Sequence, residues 1–255
     1  MILQRVEQAD WLSNAYLVCD RPGGSGVLID SNGVTEPLTE RVEREGIALT
    51  HLLLTHSHWD HVVGAGKLAE RFGIPVVGSE ATAAGGGDQF EVGETIAGGD
   101  VIESGELRIE AIEIPGHTAG QLAFLIDGSD CTTADCLFRG TVGGTRAPGA
   151  TGFEDQRVSI MERLMELPPE TRVHPGHCEP TTVGDEWERN PFVRIWRGLD
   201  EEGSDRCEVG PPDRERQEAT LVLWAPDYDG GNKAWVRFAD GEDAIVGGSQ
   251  VKRSS

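Results

Sequence analysis

The feature that constrains this chain most is a cluster of histidines and an aspartate that follows an apolar run. Residues 47–56 read IALTHLLLTH, as expected of a short buried strand, and residues 55–61 read THSHWDH. Polar side chains packed directly after a buried strand need partners, and a cation supplies them. Imidazole and carboxylate are the ligands expected of zinc, manganese or iron. The cluster therefore predicts a metal site at the end of this strand.

The cluster offers four ligands within six residues, which is too many for one tetrahedral ion. His56 and His58 point one way along an extended segment, whereas Asp60 and His61 begin the next helix. We therefore predict two ions close together. Three later motifs supply further candidate ligands: His117 in PGHTAG, Asp135 in TADCLF and His177 in HPGHC.

Several side chains near these motifs are expected to have other roles. His51 and His174 match no ligand pattern, so we expect them to be core or surface residues. Cys136 and Cys178 each follow a candidate ligand directly, and packing is the favoured role for both. Trp59 is expected to shield the metal motif, with core packing as the alternative.

Composition excludes several classes of function. The chain has 255 residues and a formal net charge of −22, which argues against nucleic acid as a partner. No apolar run approaches the roughly 18 residues that span a bilayer. Charges at Arg5, Glu7 and Asp10 interrupt the N-terminal segment, which is not the pattern of a signal peptide. With five cysteines, an odd number typical of reduced thiols, the sequence predicts a cytoplasmic protein without a membrane partner.

Predicted strands and helices alternate along most of the chain. Helical patterns cover residues 35–46, 60–73 and 153–169, and residues 131–138 (CTTADCLF) are predicted as one strand. Strands followed by helices recur in both halves. This favours an α/β fold in which helices cover the sheets.

The pattern changes after residue 198. Residues 199–219 are acidic and contain glycine and proline, which is typical of a linker. Residues 220–255 hold three short strand candidates and are predicted to form a small β appendage. The predicted domains are therefore a main domain over residues 1–198, the linker over residues 199–219 and the β appendage over residues 220–255. The aromatic residues of the appendage are expected to form its core or to dock on the main domain, with a binding face as the alternative: Trp224, Tyr228, Trp235 and Phe238.

Four ordered motifs make the chain resemble the metallo-β-lactamase-fold superfamily. They are THSHWDH (55–61), PGHTAG (115–120), TADCLF (133–138) and HPGHC (174–178), and the resemblance covers roughly residues 5–198. It implies a four-layer αβ/βα sandwich with the metals at the sheet edges. It also implies that the first metal is held by His56, His58 and His117, the second by Asp60, His61 and His177, with Asp135 as the bridge.

Within that superfamily the chain is most similar to glyoxalase II and its shorter bacterial relatives. The supporting segments are DCLFRGTVGGT, MELPPETRVHPGH and EPTTVGDEWERNPFV. Two positions depart from the family pattern: Ala134 replaces a glycine, and residues 143–146 read GGTR where the family has G-x-G-R. Arg139 and Arg146 are the candidates for gripping a thiol cofactor or substrate carboxylate, with loop bracing as the alternative. Residues 199–255 do not resemble the family's helical C-terminal domain.

The resemblance implies a dinuclear metal-dependent hydrolase that cleaves a thioester of the hydroxyacyl-glutathione type. The cofactors would be two divalent ions, with zinc as first choice and iron or manganese as alternatives. A metal-bridging hydroxide would be the nucleophile, because one zinc alone lowers the pKa of water to about 7. A thiolate, with a pKa of about 8.5, leaves without a strong acid. Asp60 and Asp135 are the candidate catalytic residues.

Two other activities on the same fold stay open. A persulfide dioxygenase would use one iron held by His56 or His58, by His117 and by Asp135. A lactonase is the second alternative. In each case the expected partner is a small molecule, an acyl-thiol for the leading hypothesis, and a homodimer stays open as the assembly.

Overall fold

The computed structural model describes residues 1–87, 89–211 and 215–253, which fold as two compact units. Unit 1 consists of Met1–Ile114, Gly120–Ala134 and Val173–Cys178. Unit 2 consists of Pro115–Ala119, Asp135–Arg172 and Glu179–Ser255. Among the residues that the structure describes, no helix has the length and apolar character needed to cross a bilayer.

The described residues of unit 1 form two β-sheets and four helices. The strands before the second sheet are β1 (Ile2–Glu7), β2 (Asn14–Cys19), β3 (Ser25–Ile29), β4 (Ser31–Asn32), β5 (Ala48–Leu53), β6 (Val76–Gly78) and β7 (Glu94–Thr95). The helices are α1 (Glu36–Glu45), α2 (Trp59–Val62), α3 (Ala65–Phe72) and α4 (Glu80–Gly85). The first sheet has the order β1-β2-β3-β5-β6-β7, antiparallel from β1 to β3 and parallel from β3 to β7.

The second sheet of unit 1 is formed later in the chain. Its strands are β8 (Val101–Ser104), β9 (Leu107–Glu113), β10 (Leu122–Ile126), β11 (Asp130–Ala134) and, after a long excursion, β14 (Arg172–Pro175). Their order is β14-β11-β10-β9-β8. Sheets with helices interspersed between the strands confirm the α/β class that the sequence predicts.

Two apolar clusters explain how unit 1 is layered. Because strand neighbours face opposite sides, Leu17 of β2 packs with helix residues such as Leu38, whereas Val18 packs with Phe124 of the second sheet. Phe124, like these neighbours, is fully buried. Each such side chain contributes roughly 1.5–3 kcal/mol by leaving water. The first sheet is therefore covered on both faces, which leaves its functional groups at the strand ends.

The helix predicted over residues 60–73 is two helices. α2 ends at Val62 and α3 starts at Ala65, because Gly64 has a left-handed φ of 72°. Ser31 Oγ donates to Val63 O at 2.6 Å, which ties the break to β4. The helix predicted over 35–46 is confirmed as α1, which ends at Gly46.

Unit 2 contains the remaining elements. Its strands are β12 (Leu137–Phe138), β13 (Thr141–Val142), β15 (Thr181–Thr182), β16 (Asp205–Val209), β17 (Gln217–Pro226), β18 (Asn232–Phe238), β19 (Asp243–Gly247) and β20 (Val251–Arg253). Its helices are α5 (Phe153–Ser159), which continues as a π-helical turn (Ile160–Leu164), α6 (Val183–Arg189), α7 (Pro191–Trp196) and a 3₁₀ turn (Gly248–Gln250). The last five strands form an antiparallel C-terminal sheet with the order β19-β18-β17-β16-β20.

Two segments differ from the sequence expectations. The strand predicted over 131–138 ends at Ala134, whose φ of 46° turns the chain before β12 begins. The acidic segment 199–219 contains all of β16 and the start of β17, and it buries Cys207 and Val209 in the core of the C-terminal sheet. Residues 212–214 of that segment and residues 254–255 of the predicted appendage lie outside the described residues. The domain boundary at 198 stays a prediction.

Aromatic side chains of the C-terminal sheet pack on helices of the same unit. The ring centroid of Trp235 lies 4.9 Å from that of Phe153 in α5 and 6.3 Å from that of Trp196 in α7. Tyr228 meets Phe138 edge-on at 5.0 Å. These contacts correspond to the docking that the sequence favoured for the aromatic residues.

Candidate metal centre

Unit 1 brings Asp60, His61 and His177 together. Each offers one ligand atom, and these atoms lie within 4.8 Å of one another. The Nε2 atoms of His61 and His177 are 3.5 and 3.4 Å from Asp60 Oδ2. Imidazole nitrogens and a carboxylate at these separations are a donor set that suits a divalent ion.

The local backbone explains how these three residues meet. The short helix α2 places Asp60 and His61 one after the other, with Asp60 O accepting from Ser13 Oγ at 2.9 Å. Ser13 also forms a β-bridge with His177. Consequently the loop after β14 and the start of α2 meet at the same point, the N-terminal end of β2.

A buried aspartate fixes the ring of His61. Asp30 Oδ2 accepts from His61 Nδ1 at 3.1 Å and from Thr55 Oγ1 at 2.8 Å, and Asp30 Oδ1 accepts from Thr55 N at 2.8 Å. Because Nδ1 of His61 carries the proton, Nε2 presents its lone pair toward Asp60. A carboxylate in this position also raises the basicity of the ligand.

The same network reaches His56. Its Nδ1 lies 3.0 Å from Thr55 Oγ1. Since that hydroxyl donates its proton to Asp30, it can only accept from His56. His56 is therefore held with Nε2 as the nitrogen available to a metal. Its ring centroid lies 4.8 Å from that of His58 and 4.6 Å from that of His61, so the rings of His58 and His61 both contact that of His56.

Unit 2 holds the other two predicted ligands. His117 Nε2 lies 3.4 Å from Asp135 Oδ2. His117 Nδ1 donates to Gly144 O at 2.8 Å, which again leaves Nε2 as the ligand nitrogen. Gln156 Oε1 accepts from His117 N at 2.9 Å, and Gln156 Nε2 donates to Cys136 O at 2.9 Å. One glutamine of α5 therefore braces the segments of both ligands.

Two residues beside ligands have left-handed backbone without being glycine. Ala134, directly before Asp135, has φ 46°, and Cys178, directly after His177, has φ 64°. Such conformations cost about 1–2 kcal/mol for an L-residue and concentrate at functional sites. At Ala134 this conformation is one that glycine, the residue implied here by the family resemblance, adopts without strain.

The remaining predicted residues are the two arginines and Trp59. Arg146 stacks on the ring of Phe238, with its guanidinium carbon 4.9 Å from the centroid, and Arg139 is exposed. Trp59 is 54% exposed, so core packing does not apply to it. Whether either arginine contacts a substrate stays a prediction.

The two histidines set aside in the sequence have other partners. His174 is buried, and its Nε2 lies 2.8 Å from Asp130 Oδ1. His51 Nδ1 lies 2.9 Å from Thr50 Oγ1, and partial burial lowers the pKa of His51.

Four supporting residues were missed from the sequence. Asp30, Thr55, Gly144 and Gln156 each orient a candidate ligand through a hydrogen bond. Asp30 had a usable signal, because it ends the apolar run SGVLIDS as the only charged residue in it. The other three act through a hydroxyl, a backbone carbonyl and a helix side chain, for which the sequence carries no comparable mark.

Known proteins are similar to this chain in family, in sequence and in fold. A family model described as the metallo-beta-lactamase superfamily matches residues 9–177. Hydroxyacylglutathione hydrolase of Ruegeria pomeroyi is 34% identical over 164 residues, which cover 64% of this chain and 61% of that protein.

Two solved structures are similar in both fold and sequence. TTHA1623 in a di-iron-bound form is 32% identical with a TM-score of 0.64, covering 74% of this chain and 99% of that chain. ETHE1 from Myxococcus xanthus is 28% identical with a TM-score of 0.65, covering 78% of this chain and 92% of that chain.

Proposed function

The chain belongs to the metallo-β-lactamase superfamily, and from this premise we propose that it is a dinuclear metallohydrolase that cleaves the thioester of a hydroxyacyl-glutathione type substrate. The observation that carries the proposal is the donor set Asp60, His61 and His177, with ligand atoms within 4.8 Å of one another. The similarity to hydroxyacylglutathione hydrolase of Ruegeria pomeroyi supports the substrate class.

We assign the ligands as the family resemblance implies. The first ion would be held by His56, His58 and His117, the second by Asp60, His61 and His177, with Asp135 between them. Two features of the chain support this set. His61 and His117 each donate Nδ1–H to a fixed acceptor and keep Nε2 for a metal. Asp135 follows directly on β11, the strand that ends in strained backbone at Ala134.

In the proposed reaction the metal ions would activate water, and the side chains of the protein would position the metal ligands. Two divalent cations would supply a hydroxide nucleophile near neutral pH and would stabilise negative charge on the carbonyl oxygen. Asp30 and Gly144 hold two ligand rings in one tautomer, so the site is organised before substrate arrives. Of the two candidate catalytic carboxylates Asp60 is the more exposed, with a side chain 21% exposed against 9% for Asp135.

A thioester suits this set of residues better than an amide. A thiolate has a pKa of about 8.5 and departs without a strong general acid, whereas an amine needs a proton. Asp60 and Asp135 stay the candidate catalytic carboxylates, and water can supply the proton that the departed thiolate takes up. We propose zinc as the first choice of metal, with iron or manganese as alternatives, and a small acyl-thiol as the partner.

The test is hydrolysis by the purified full chain. We expect metal-dependent thiol release from a hydroxyacyl-glutathione, loss of turnover in His58→Ala, and turnover within a few-fold of wild type in His174→Gln. Rates with a coenzyme A thioester of the same acyl group identify the thiol carrier. Rates with a lactone test the lactonase alternative. Oxygen uptake with glutathione persulfide, without thioester cleavage, would instead identify a dioxygenase and overturn the proposal.

Asp135→Asn tests the two-metal assignment. If Asp135 bridges two ions, the substitution lowers metal content and turnover together, because one carboxylate holds both ions and the nucleophile between them. Metal occupancy and rate that both match the wild type would exclude the bridge.

A further inference from the structure

The segment Gly143–Arg146, which we call the glycine loop, touches both ligand segments of unit 2. Gly143 N donates to Cys136 O at 3.1 Å, and a Cβ at Gly143 would lie 1.8 Å from Asp135 O. Only glycine fits at this approach. The next residue, Gly144, offers its carbonyl to His117 Nδ1 at 2.8 Å. The position of this loop therefore decides where the His117 ring is held.

The third residue of the loop is bound to the C-terminal sheet. Thr145 N donates to Ile245 O at 2.9 Å, and Ile245 N donates to Thr145 Oγ1 at 2.9 Å. Both residues are buried. Ile245 lies in β19, an edge strand whose outer backbone groups need partners. Thr145 supplies both, one of them through its side chain.

The C-terminal sheet holds Ile245 in place through strand pairing and a buried apolar cluster. β19 pairs with β18 over five residues, and its Ala244 and Val246 lie in the buried cluster of the C-terminal sheet. Arg146 adds a contact by stacking on Phe238, although an exposed cation–π contact is worth only about 0.5–1 kcal/mol. The buried hydrogen-bond pair is therefore the main attachment of the loop.

We propose that Thr145 is a positioning residue for the metal centre: through it, the C-terminal sheet fixes the Gly144 carbonyl at His117 Nδ1. The chain of contacts runs from Ile245 to Thr145, then to Gly144 and His117, all inside unit 2. This gives the C-terminal sheet a role in ligand orientation, for which partners of metal-bound histidines are known to matter. The inference rests on the proposed metal site.

The test compares three variants of the full chain. Thr145→Val keeps the branched shape and removes the oxygen that accepts from Ile245 N. Thr145→Ser keeps that oxygen. Thr220→Val makes the same chemical change in β17 of the same sheet, where the side chain is half-buried. Zinc affinity is measured by competition with a chromophoric chelator, and the His117 tautomer by long-range ¹H–¹⁵N spectra of the imidazole.

We expect Thr145→Val to weaken zinc binding about tenfold, in line with the loss of an outer partner of a ligand. Its His117 signals should show exchange between tautomers in the metal-free chain. Thr145→Ser should stay within about twofold of wild type, and Thr220→Val should match the wild type in both measurements. Urea unfolding of each variant confirms that all are folded at the temperature of the assay.

Other outcomes overturn the inference. Wild-type zinc affinity and a single His117 tautomer in Thr145→Val would show that the loop needs no support from the sheet. Equal weakening in Thr220→Val would show general destabilisation. The proposed function fails separately: if wild-type protein binds zinc but releases no thiol from thioesters, the substrate assignment is wrong while the positioning role still stands or falls on the variants.

Discussion

At the scale of single residues, Asp30 is the residue that orients candidate ligands most directly, although it lies outside the four motifs of the sequence. It is buried, its φ is 58°, and it accepts from Thr55 twice and from His61 once. A carboxylate with three hydrogen bonds is satisfied without a cation beside it. It orients two ligands, His61 directly and His56 through Thr55 Oγ1.

We expect Asp30→Asn to weaken metal binding about 10–100-fold while the chain still folds. The amide has one oxygen where the carboxylate has two, so it cannot accept from both Thr55 and His61 in the same way. Chelator competition measures the effect. Asp127→Asn is the matched control, because Asp127 is an exposed aspartate with a similarly positive φ of 48°. Equal metal affinities in the two variants would show that Asp30 does not orient the ligands.

Strain at Ala134 gives a second prediction. Ala134→Gly should leave the free energy of unfolding nearly unchanged, because relief of the left-handed backbone offsets the lost methyl group and the flexibility of glycine. Ala123→Gly, at a buried position of β10 with ordinary backbone, should lose about 1–2 kcal/mol. Urea unfolding measures both. Equal losses would show that Ala134 is not strained.

His51 should influence stability through pH and leave catalysis alone. Partial burial lowers its pKa in the folded chain, so below about pH 6.5 the unfolded chain binds more protons and stability falls. His51→Gln removes this contribution, and the difference in unfolding free energy between pH 8 and pH 5.5 should shrink. Turnover should stay within a few-fold of wild type. An unchanged pH dependence would mean that His51 titrates alike in both states.

At the scale of elements, the break between α2 and α3 was not predictable from periodicity. Residues 60–73 carry a continuous helical pattern, yet Val63 is held by β4 and Gly64 adopts a left-handed φ. The cause is a tertiary contact of Ser31, which lies far away in sequence. The break lies beside the candidate metal centre, because it limits α2 to four residues that include Asp60 and His61.

We expect Gly64→Ala to cost about 1–2 kcal/mol of unfolding free energy. A Cβ at Gly64 would meet nothing within 4 Å, so the cost comes from backbone conformation alone. Gly93→Ala is the control, because its Cβ would make only ordinary contacts at 3.7 and 3.8 Å. Thermal unfolding of both variants measures the difference. A loss in Gly64→Ala no larger than in Gly93→Ala would contradict the left-handed assignment.

The strand β16 shows why the acidic segment 199–219 was predicted to be a linker. Its five residues, DRCEV, alternate polar positions with buried Cys207 and Val209. One face of such a short strand supplies too few apolar residues to stand out among the charges and glycines around it. The pairing with β17 and β20 that makes it a strand is set by partners elsewhere in the chain.

At the scale of the whole molecule, the sequence predicted the family and the fold class because four ordered motifs carry them. THSHWDH and HPGHC lie where strands end, and an ordered set of this kind is hard to obtain without the fold. The supporting contacts were not predictable, because Gly144 acts through a backbone carbonyl and Gln156 through a side chain 39 residues from His117. Such partners become visible only when the chain is folded.

The contacts of the C-terminal sheet bear on the predicted division at residue 198, which stays a prediction. The sequence separates residues 220–255 from a metal-binding domain that ends at 198. Within unit 2, however, Trp235 packs on Phe153 and Trp196, and Ile245 bonds to Thr145. If Thr145 positions the metal centre as proposed, these contacts make the C-terminal sheet a support of the glycine loop.

Metal content per chain in freshly purified protein, taken together with the rate of thioester hydrolysis, decides whether the site is a dinuclear hydrolase centre. A dinuclear hydrolase centre predicts close to two divalent ions per chain and thiol release that falls as a chelator removes the ions and returns when they are restored. One iron per chain, with oxygen consumed from a persulfide and no thioester cleaved, would contradict it.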